Sequence, residues 1–218
     1  MLNGNYHGTA SKYTTILEGI HAEVGEDIRV YYSEGCHLYK EKVGGLSLPN
    51  DRLSEAISVA KKADVAIMCL GLDSTIEGEQ GDTGNSEAAG DKSDLNLPGK
   101  QQELLESIIA TGTPVIVVLG TGSALTFNNV DDRCAAILNA WYPGSHGGQA
   151  VSEILFGKVS PSGKLPVTFY KDTKNLPDFE DYSMENRTYR YMKDESLYSF
   201  GYGLTYSNVE LSSLKVKN

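Results

Sequence analysis

Two hydrophobic patterns alternate along the 218-residue chain, and together they predict its secondary structure. Short apolar runs predict buried β-strands, whereas apolar positions three and four residues apart predict helices. The predicted strands are 28–32, 64–70, 114–119, 135–141 and 165–169. The predicted helices are 9–19, with Thr9 as its N-cap, 51–62, with Asp51 as its N-cap, 99–111 and 147–156.

This repeated alternation of strand and helix predicts a fold of the α/β class. Strand 114–119 (PVIVVL) is apolar throughout, which is typical of a strand covered on both faces. We therefore predict a doubly wound, mostly parallel sheet sandwich with helices on both faces, in a flavodoxin-like arrangement. Parallel α/β domains usually begin with a strand, whereas this chain opens on a glycine-rich stretch and a helix. We expect the first strand to be missing or to be supplied from elsewhere.

The end of the chain changes character. Residues 175–206 are rich in Tyr, Asp and Glu and show no periodicity, so we expect this segment to wrap around the domain and line a cleft. Residues 211–216 have the pattern of a strand that leads toward a following domain.

The segment from Leu72 to Pro98, called here the acidic loop, lies between a predicted strand and a predicted helix. Ligands of α/β sheets bind beyond the carboxyl ends of the strands, and long loops within compact domains are usually functional. The acidic loop carries a single basic residue, Lys92. Its seven carboxylates are Asp73, Glu77, Glu79, Asp82, Glu87, Asp91 and Asp94.

Four hypotheses account for this clustering of carboxylates. The first is general acid/base catalysis, because clustered like charges raise the pKa of one carboxyl group and keep it protonated near neutral pH. Glu77 and Glu79 would point to the same side of an extended chain. The second is a calcium site, although the spacing from Asp82 does not match an EF-hand. The third is a magnesium–phosphate site, although the sequence lacks the G-x-x-x-x-G-K-[ST] motif of such sites. The fourth is a solvated loop without chemistry. The residues alone leave all four open.

Three aromatic or imidazole side chains are candidates for sugar binding. Trp141 follows a predicted strand and could stack on a sugar face, and His146 could hydrogen-bond a hydroxyl group. Tyr6 would lie at the same edge of the sheet if the missing strand is central. Each also has a plain structural interpretation: Trp141 as a core residue, His146 as a helix cap and Tyr6 as a surface aromatic.

The glycines of Gly120–Ser123 could let the backbone approach a ligand, but a simple turn explains them equally well, because the G-x-G-x-x-G dinucleotide motif is not completed. The G-x-S-x-G motif is also absent, so Ser-His-Asp hydrolysis has little support.

Composition narrows the possible partners. The net charge is −10, and an acidic chain repels phosphate backbones, so we do not expect nucleic-acid binding. No run of 18 apolar residues is present, so we expect a soluble protein that does not span a membrane. The opening residues lack the pattern of a signal peptide, and cytoplasmic and secreted locations both stay open. Cys36, Cys69 and Cys134 match no metal motif, and we expect neither a metal nor a cofactor.

Several stretches of the chain together resemble glycoside hydrolase family 3, which includes β-glucosidases and β-xylosidases. These stretches are GLDSTIEGE, GDKSDLNLPGKQQELL, PVIVVLGTGSAL, ILNAWYPGSHGGQAVSEILFGKVSPSGKLPVTF and LYSFGYGLTYS. The resemblance runs through essentially the whole chain in order. It implies that residues 1–206 are the family's α/β sandwich domain, and that residues 207–218 are a linker toward a further domain.

The resemblance also implies a retaining hydrolysis shared between two domains. A TIM-like barrel, which this chain does not match, carries an Asp nucleophile, and the α/β domain supplies the Glu acid/base. The motif match assigns that role first to Glu79, with Glu77 second and Glu87 third. The family's usual Asp-Arg pair stands here as Asp91-Lys92. The expected substrate is a terminal β-glucoside or β-xyloside, and the chain alone is expected to be inactive. The alternatives are a carbohydrate-binding module and a structural packing domain.

Overall fold

The computed structural model describes residues 1–41, 50–79, 81, 90–127, 130–174, 176–210 and 212–216. Its strands are β1 (Ala66–Gly71), β2 (Val115–Gly120) and β3 (Ala136–Asn139). Its helices are α1 (Ile16–Val24), α2 (Asp51–Ala60), α3 (Gln101–Ile109), α4 (Gly147–Leu155) and α5 (Thr188–Tyr191), with a short 3-10 turn at Asp131–Arg133. Among the described residues, no helix is long and apolar enough to cross a membrane.

The three strands form one parallel sheet in the order β1-β2-β3, which confirms the predicted α/β class. Ala66 pairs with Val115, and Ile116 pairs with Ala136. Because β2 is central, its side chains meet a covered environment on both faces, and Val117 and Val118 are both fully buried. The unbroken apolar run of β2 follows from this position.

One face of the sheet packs on α2 and α3. Side chains alternate along a strand, so Met68 and Leu70 of β1 share this face, while Ile67 and Cys69 share the other. The main core forms where the first face meets the two helices. Its members from these elements are Ala56, Ala60, Met68, Leu70, Leu104, Leu105, Ile108, Val115, Val117 and Leu119.

Helices α1 and α4 form the second helical layer. Glycines bring them close together: a Cβ atom on Gly19 would lie 2.1 Å from the carbonyl oxygen of Gly148. Their amino ends are also joined, because the Thr14 N–H donates to the Ser145 carbonyl at 2.8 Å and the Gly148 N–H donates to the Thr14 carbonyl at 3.0 Å. The helices therefore cover both faces of the sheet, as predicted.

The first helix begins later than predicted. It starts after Thr15, whose side chain accepts a hydrogen bond from the Glu18 N–H at 3.2 Å. The Glu18 carboxylate in turn accepts from the Thr15 N–H at 2.7 Å, which completes a capping box. This pair satisfies two N–H groups at the start of the helix. Thr9, by contrast, is not followed three residues later by the Glu or Gln that a capping box needs. The prediction of Thr9 as the N-cap was wrong.

Three of the predicted strands do not form strands in the structure. Residues 28–32 and 212–216 have no strand structure, since a strand needs a hydrogen-bonded neighbour and neither segment has one among the described residues. Of the predicted strand 165–169, only an isolated antiparallel bridge forms, between Phe169 and Tyr198.

The segment after residue 175 does wrap around the domain. The Leu165 N–H donates to the Tyr202 carbonyl at 2.9 Å, and the Tyr206 hydroxyl donates to the Ile154 carbonyl at the end of α4, also at 2.9 Å. Phe169 is buried and lies edge-on to Tyr198 of this segment, with ring centroids 6.3 Å apart.

Candidate active site

Four chain segments meet at the carboxyl edge of the sheet, the edge formed by Gly71, Gly120 and Asn139. The acidic loop follows β1, residues 121–127 follow β2, and Trp141 and Tyr142 follow β3. The opening segment of the chain is the fourth, because Gly4 packs so closely on the Tyr142 ring that a Cβ atom would lie 2.2 Å from its Cδ2. This convergence is the usual place for a ligand site in an α/β sheet.

The acidic loop begins as a turn capped by Asp73. Its Oδ1 atom accepts hydrogen bonds from the Thr75 N–H at 2.9 Å and from the Thr75 hydroxyl at 2.6 Å. The Asp73 carbonyl accepts from the Glu77 N–H at 3.0 Å. Ile76, which is 5% exposed, fixes the turn to the core. The chain is therefore turned rather than extended where it approaches Glu77.

Glu77 is held by donors from two other loops. Its Oε2 accepts from the Gly122 N–H at 3.1 Å and from the Tyr142 hydroxyl, and its Oε1 accepts from the Ser123 hydroxyl. Together these three residues and Glu77 form a cluster called here the Glu77 anchor. The anchor joins the acidic loop to the segments that follow β2 and β3.

Gly122 makes the anchor possible. A Cβ atom at this position would lie 2.9 Å from the Tyr142 Cε2 atom and 3.1 Å from the Glu77 Oε2 atom. Burial and then the Glu77 carboxylate raise the pKa of Tyr142, so its hydroxyl stays protonated as a donor. The glycine lets the backbone approach a side chain of the protein itself.

Glu79 has different surroundings from Glu77. The backbone bends at Gly78 and Glu79, and the Glu79 side chain is exposed. Gly78 donates its N–H to the Gly90 carbonyl at 3.0 Å, and this hydrogen bond is called here the loop stem. A Cβ atom on Gly90, whose φ is +131°, would lie 2.1 Å from the Glu79 carbonyl oxygen. The stem thus sets the position of the Glu79 backbone.

The returning half of the acidic loop packs along residues 121–127. The Lys92 ammonium donates to the Ala124 carbonyl at 2.5 Å, and the Thr126 N–H donates to the Leu95 carbonyl at 2.7 Å. Burial lowers the pKa of Lys92, while the carboxylates of Glu77 and Asp94 act in the opposite direction. Both halves of the loop therefore rest on the same segment.

The remaining predicted residues are placed as follows. Glu87 and Asp82 lie outside the described residues. Tyr6 is 78% exposed, and His146 is exposed at the N-cap position of α4 without a capping bond from its side chain. Trp141 packs against the core, edge-on to Phe169 with ring centroids 6.3 Å apart.

Sequence reasoning missed Tyr142, Ser123 and Lys92 as parts of the site. Tyr142 and Ser123 each follow the carboxyl end of a strand, and that position was the available signal. Their partner in the chain, Glu77, is 65 residues from Tyr142 and 46 from Ser123, so no local pattern joins them.

Two neighbouring glutamates therefore have different surroundings. Glu77 accepts hydrogen bonds on both oxygens, which suits a carboxylate that holds the loop in place. The Glu79 side chain is exposed to solvent, and an exposed carboxyl group can exchange a proton with a ligand. Within the described part of the chain, no group of three or more His, Cys, Asp or Glu side chains is placed to hold a metal ion.

Comparison with known proteins identifies the class of domain. Residues 1–206 match the glycosyl hydrolase family 3 C-terminal domain, and the chain belongs to this family. A xylan 1,4-β-xylosidase from Xylanibacter ruminicola is 45% identical over 165 residues, which span 75% of this chain and 19% of that protein.

Solved structures agree in fold. A β-glucosidase from Erythrobacter marinus is 32% identical with a TM-score of 0.76, over 94% of this chain and 29% of the other. A GH3 exo-β-xylosidase bound to a xylobiose aziridine probe is 26% identical with a TM-score of 0.78, over 94% of this chain and 26% of the other. The chain thus spans less than a third of the length of these relatives.

Proposed function

We propose that this chain is the acid/base domain of a retaining β-glycosidase that removes terminal β-linked glucose or xylose. Glu79 is the proton donor in this proposal. The observation that carries it is the contrast between the two glutamates: Glu77 is bound by three donors, whereas Glu79 is exposed on the loop stem beyond the carboxyl edge.

The chemistry requires two carboxylates. A nucleophilic carboxylate attacks the anomeric carbon, the bond from this carbon to the leaving oxygen breaks, and Glu79 transfers its proton to that oxygen. In the second step Glu79 removes a proton from water, and the water oxygen displaces the enzyme carboxylate from the anomeric carbon. Proton transfer of this kind contributes about 10²- to 10⁴-fold to a rate.

The nucleophile belongs to a partner domain in this proposal. We expect a TIM-like barrel to carry it and to dock at the carboxyl edge. The two carboxylates of a retaining glycosidase stand about 5–5.5 Å apart, so Glu79 must reach the partner's active site. This domain and its barrel are called here the assembled enzyme. The 218-residue chain alone should release no sugar from an aryl β-glucoside or β-xyloside.

We also propose three substrate contacts of unequal strength: Tyr6, Trp141 and His146. Tyr6 and His146 are exposed side chains, which suits contact with a sugar hydroxyl or ring face. Trp141 already uses part of its surface against Phe169, so its contribution should be smaller. Replacing each with alanine should raise KM for the glycoside more than it lowers kcat.

The proposal is tested by replacing Glu79 with glutamine in the assembled enzyme. Glu79→Gln should slow aryl glycosides with poor leaving groups at least ~100-fold, because these need protonation. Glycosides of 2,4-dinitrophenol, which leaves without a proton, should keep a nearly normal glycosylation rate. The matched control is Glu77→Gln, which should slow both classes equally. A loss that is independent of the leaving group in Glu79→Gln would contradict the acid role.

A further inference from the structure

The segment that wraps around the domain presents a pair of stacked aromatic rings at its surface. The ring centroids of Tyr189 and Phe200 lie 4.2 Å apart, and the ring planes are 19° from parallel. Tyr189 belongs to α5, whereas Phe200 lies in a turn closed by the hydrogen bond from the Tyr202 N–H to the Ser199 carbonyl at 3.0 Å. Although they stack on each other, Tyr189 and Phe200 are 53% and 45% exposed. This pair is called here the aromatic platform.

The backbone that leads to the platform has an unusual conformation. Met184, Asn186 and Thr188 have φ values of +66°, +55° and +55°. Residues other than glycine rarely adopt a positive φ, and for a β-branched residue such as threonine it is a true outlier. Such conformations persist only where surrounding contacts hold them, and they concentrate at ligand-binding and switch sites.

Hydrogen bonds hold this backbone in place. The Asn186 amide donates to the Asp194 carboxylate at 2.9 Å, and its carbonyl oxygen accepts from the Lys193 N–H at 2.8 Å. The Thr188 N–H donates to the Tyr170 hydroxyl at 3.2 Å. The platform is therefore fixed before any ligand arrives, which lowers the entropic cost of binding.

Polar groups stand beside the two rings. The Arg190 Nε–H donates to the Tyr189 hydroxyl at 3.0 Å, and the guanidinium carbon lies 5.6 Å from the centroid of the Tyr189 ring. Arg190 is exposed, and its guanidinium group has further N–H donors. A ligand on the platform would thus meet an apolar ring surface next to hydrogen-bonding groups, which suits a molecule that has both characters.

The charge of the surrounding chain limits the kind of partner. Residues 178–195 carry six carboxylates and three basic side chains. Of the basic side chains, Lys193 pairs with Glu185 at 2.8 Å, and Arg187 donates to the carbonyls of Pro177 and Asp178. This excess of negative charge repels polyanions, and Asp and Glu are depleted from the desolvated cores of protein interfaces. Carboxylates accept strong hydrogen bonds from hydroxyl groups, so an uncharged sugar chain fits this surface better than a protein does.

A row of packed rings links the platform to the candidate active site. Trp141 lies edge-on to Phe169, and Phe169 lies edge-on to Tyr198, each with ring centroids 6.3 Å apart. Tyr198 stacks on Tyr202 at 5.3 Å, in the same turn as Phe200. The platform and the edge of the sheet are therefore parts of one packed framework.

We propose that the aromatic platform binds an uncharged, β-linked polysaccharide chain, with a sugar ring of the chain lying on Tyr189 and Phe200. The choice of a β-linked chain rests on the proposed function, whereas the binding uses none of the residues assigned to hydrolysis. The platform would keep a long substrate attached to the domain, and a short glycoside would not need it.

Titration of the 218-residue chain with xylohexaose and with cellohexaose, followed by calorimetry, tests this proposal. At least one of the two should bind, and Tyr189→Ala should weaken that binding about tenfold or more. Phe200→Leu, which keeps apolar volume but removes the ring, should weaken it similarly. Tyr189→Phe keeps the ring and should bind nearly as well as the wild type. Because the ligand is uncharged, the affinity should change less than about twofold between about 0.05 and 0.5 M salt.

Tyr182→Ala is the matched control. Tyr182 is 86% exposed on the same segment, and within the described part of the chain its ring stacks on no other, so this variant should bind normally. Glu79→Gln should also bind normally, which separates a failure of this proposal from a failure of the acid/base assignment.

Three results would overturn the proposal. The first is the absence of binding to both hexasaccharides, and the second is equal affinity of the wild type and Tyr189→Ala. The third is a loss of binding in Trp141→Ala or Tyr182→Ala as large as in Tyr189→Ala, which would indicate the candidate active site or unspecific contact with exposed rings. Nitration of Tyr189 by tetranitromethane distinguishes a protein partner: a rate about tenfold lower in the assembled enzyme than in the 218-residue chain would show that another domain covers the platform, and it would also contradict the proposal.

Discussion

The Tyr142 hydroxyl donates its hydrogen bond to the Oε2 atom of Glu77, and this contact joins the end of β3 to the acidic loop. The two residues are 65 positions apart in the chain. Gly122 and Ser123 donate to the same carboxylate, so the contact belongs to a cluster that joins the segments after all three strands. The acidic loop is therefore positioned by the sheet, and Glu79 with it.

Removing the Tyr142 hydroxyl should weaken this link. Tyr142→Phe keeps the ring that packs on Gly4 but deletes one donor to a half-buried carboxylate. We expect the free energy of unfolding of the 218-residue chain to fall by about 1–3 kcal/mol. Urea unfolding measures this. Tyr182→Phe, which deletes the same atom from a side chain that is 86% exposed, is the control and should change stability by less than about 0.5 kcal/mol. Equal effects of the two variants would show that the anchor does not stabilise the loop.

The loop stem can be tested at Gly90. Gly90→Ala places a methyl group against the Glu79 carbonyl and must displace Glu79. Displacement of a catalytic group by about 1 Å can cost about 100-fold in rate, so kcat of the assembled enzyme should fall by about 10- to 100-fold.

Gly112→Ala is the matched control for Gly90→Ala. Gly112 also has a positive φ, +82°, but a Cβ atom there meets nothing within 4 Å. Gly112→Ala should lose about 1–2 kcal/mol of stability from backbone strain, and Gly90→Ala should lose more because its methyl group also meets the Glu79 carbonyl. Only Gly90→Ala should lose turnover. Normal turnover in Gly90→Ala would show that the loop stem does not set the position of Glu79.

The burial of Lys92 leads us to expect that the stability of the chain depends on pH. Because burial lowers the pKa of Lys92, the unfolded chain binds more protons than the folded chain at pH values between the lowered pKa and the ordinary value of about 10.4. The contribution of Lys92 to the free energy of unfolding therefore rises with pH across that window. The stability of the wild-type chain relative to Lys92→Met should increase toward pH 10.5, as measured by urea unfolding at a series of pH values.

The control for this experiment is Lys62→Met, which removes an exposed lysine just after α2 and corrects for the general loss of one positive charge. A wild-type advantage over Lys92→Met that declines with rising pH would show that the attraction of the Glu77 and Asp94 carboxylates outweighs burial at Lys92.

Much of the sheet could be predicted because its strands are continuous apolar runs. The prediction of 114–119 matches β2 (Val115–Gly120) to within one residue, since a central strand needs apolar side chains on both faces. Segment 28–32 has an equally good strand pattern, yet no strand forms there. Strand formation depends on a hydrogen-bonded neighbour, and the sequence pattern of the segment contains no information about that neighbour.

The candidate site could be predicted in location but not in its internal arrangement. The acidic loop follows a strand end, which is a local signal, and it lies at the carboxyl edge as expected. The distinction between Glu77 and Glu79 could not be predicted, because it depends on Ser123 and Tyr142, which are distant in sequence. The assumption of an extended chain also failed, because the backbone bends at Gly78 and Glu79.

The most direct test of the central claim is azide rescue of the Glu79→Ala variant of the assembled enzyme. With a 2,4-dinitrophenyl β-glycoside the first step needs no acid, so the glycosyl-enzyme forms but water attacks it slowly without a base. Azide needs no base, and it should raise turnover about tenfold or more while forming a glycosyl azide of β configuration, identified by NMR. The absence of rescue in Glu79→Ala, or rescue of Glu77→Ala or Glu87→Ala instead, would contradict the assignment of Glu79 as the acid/base.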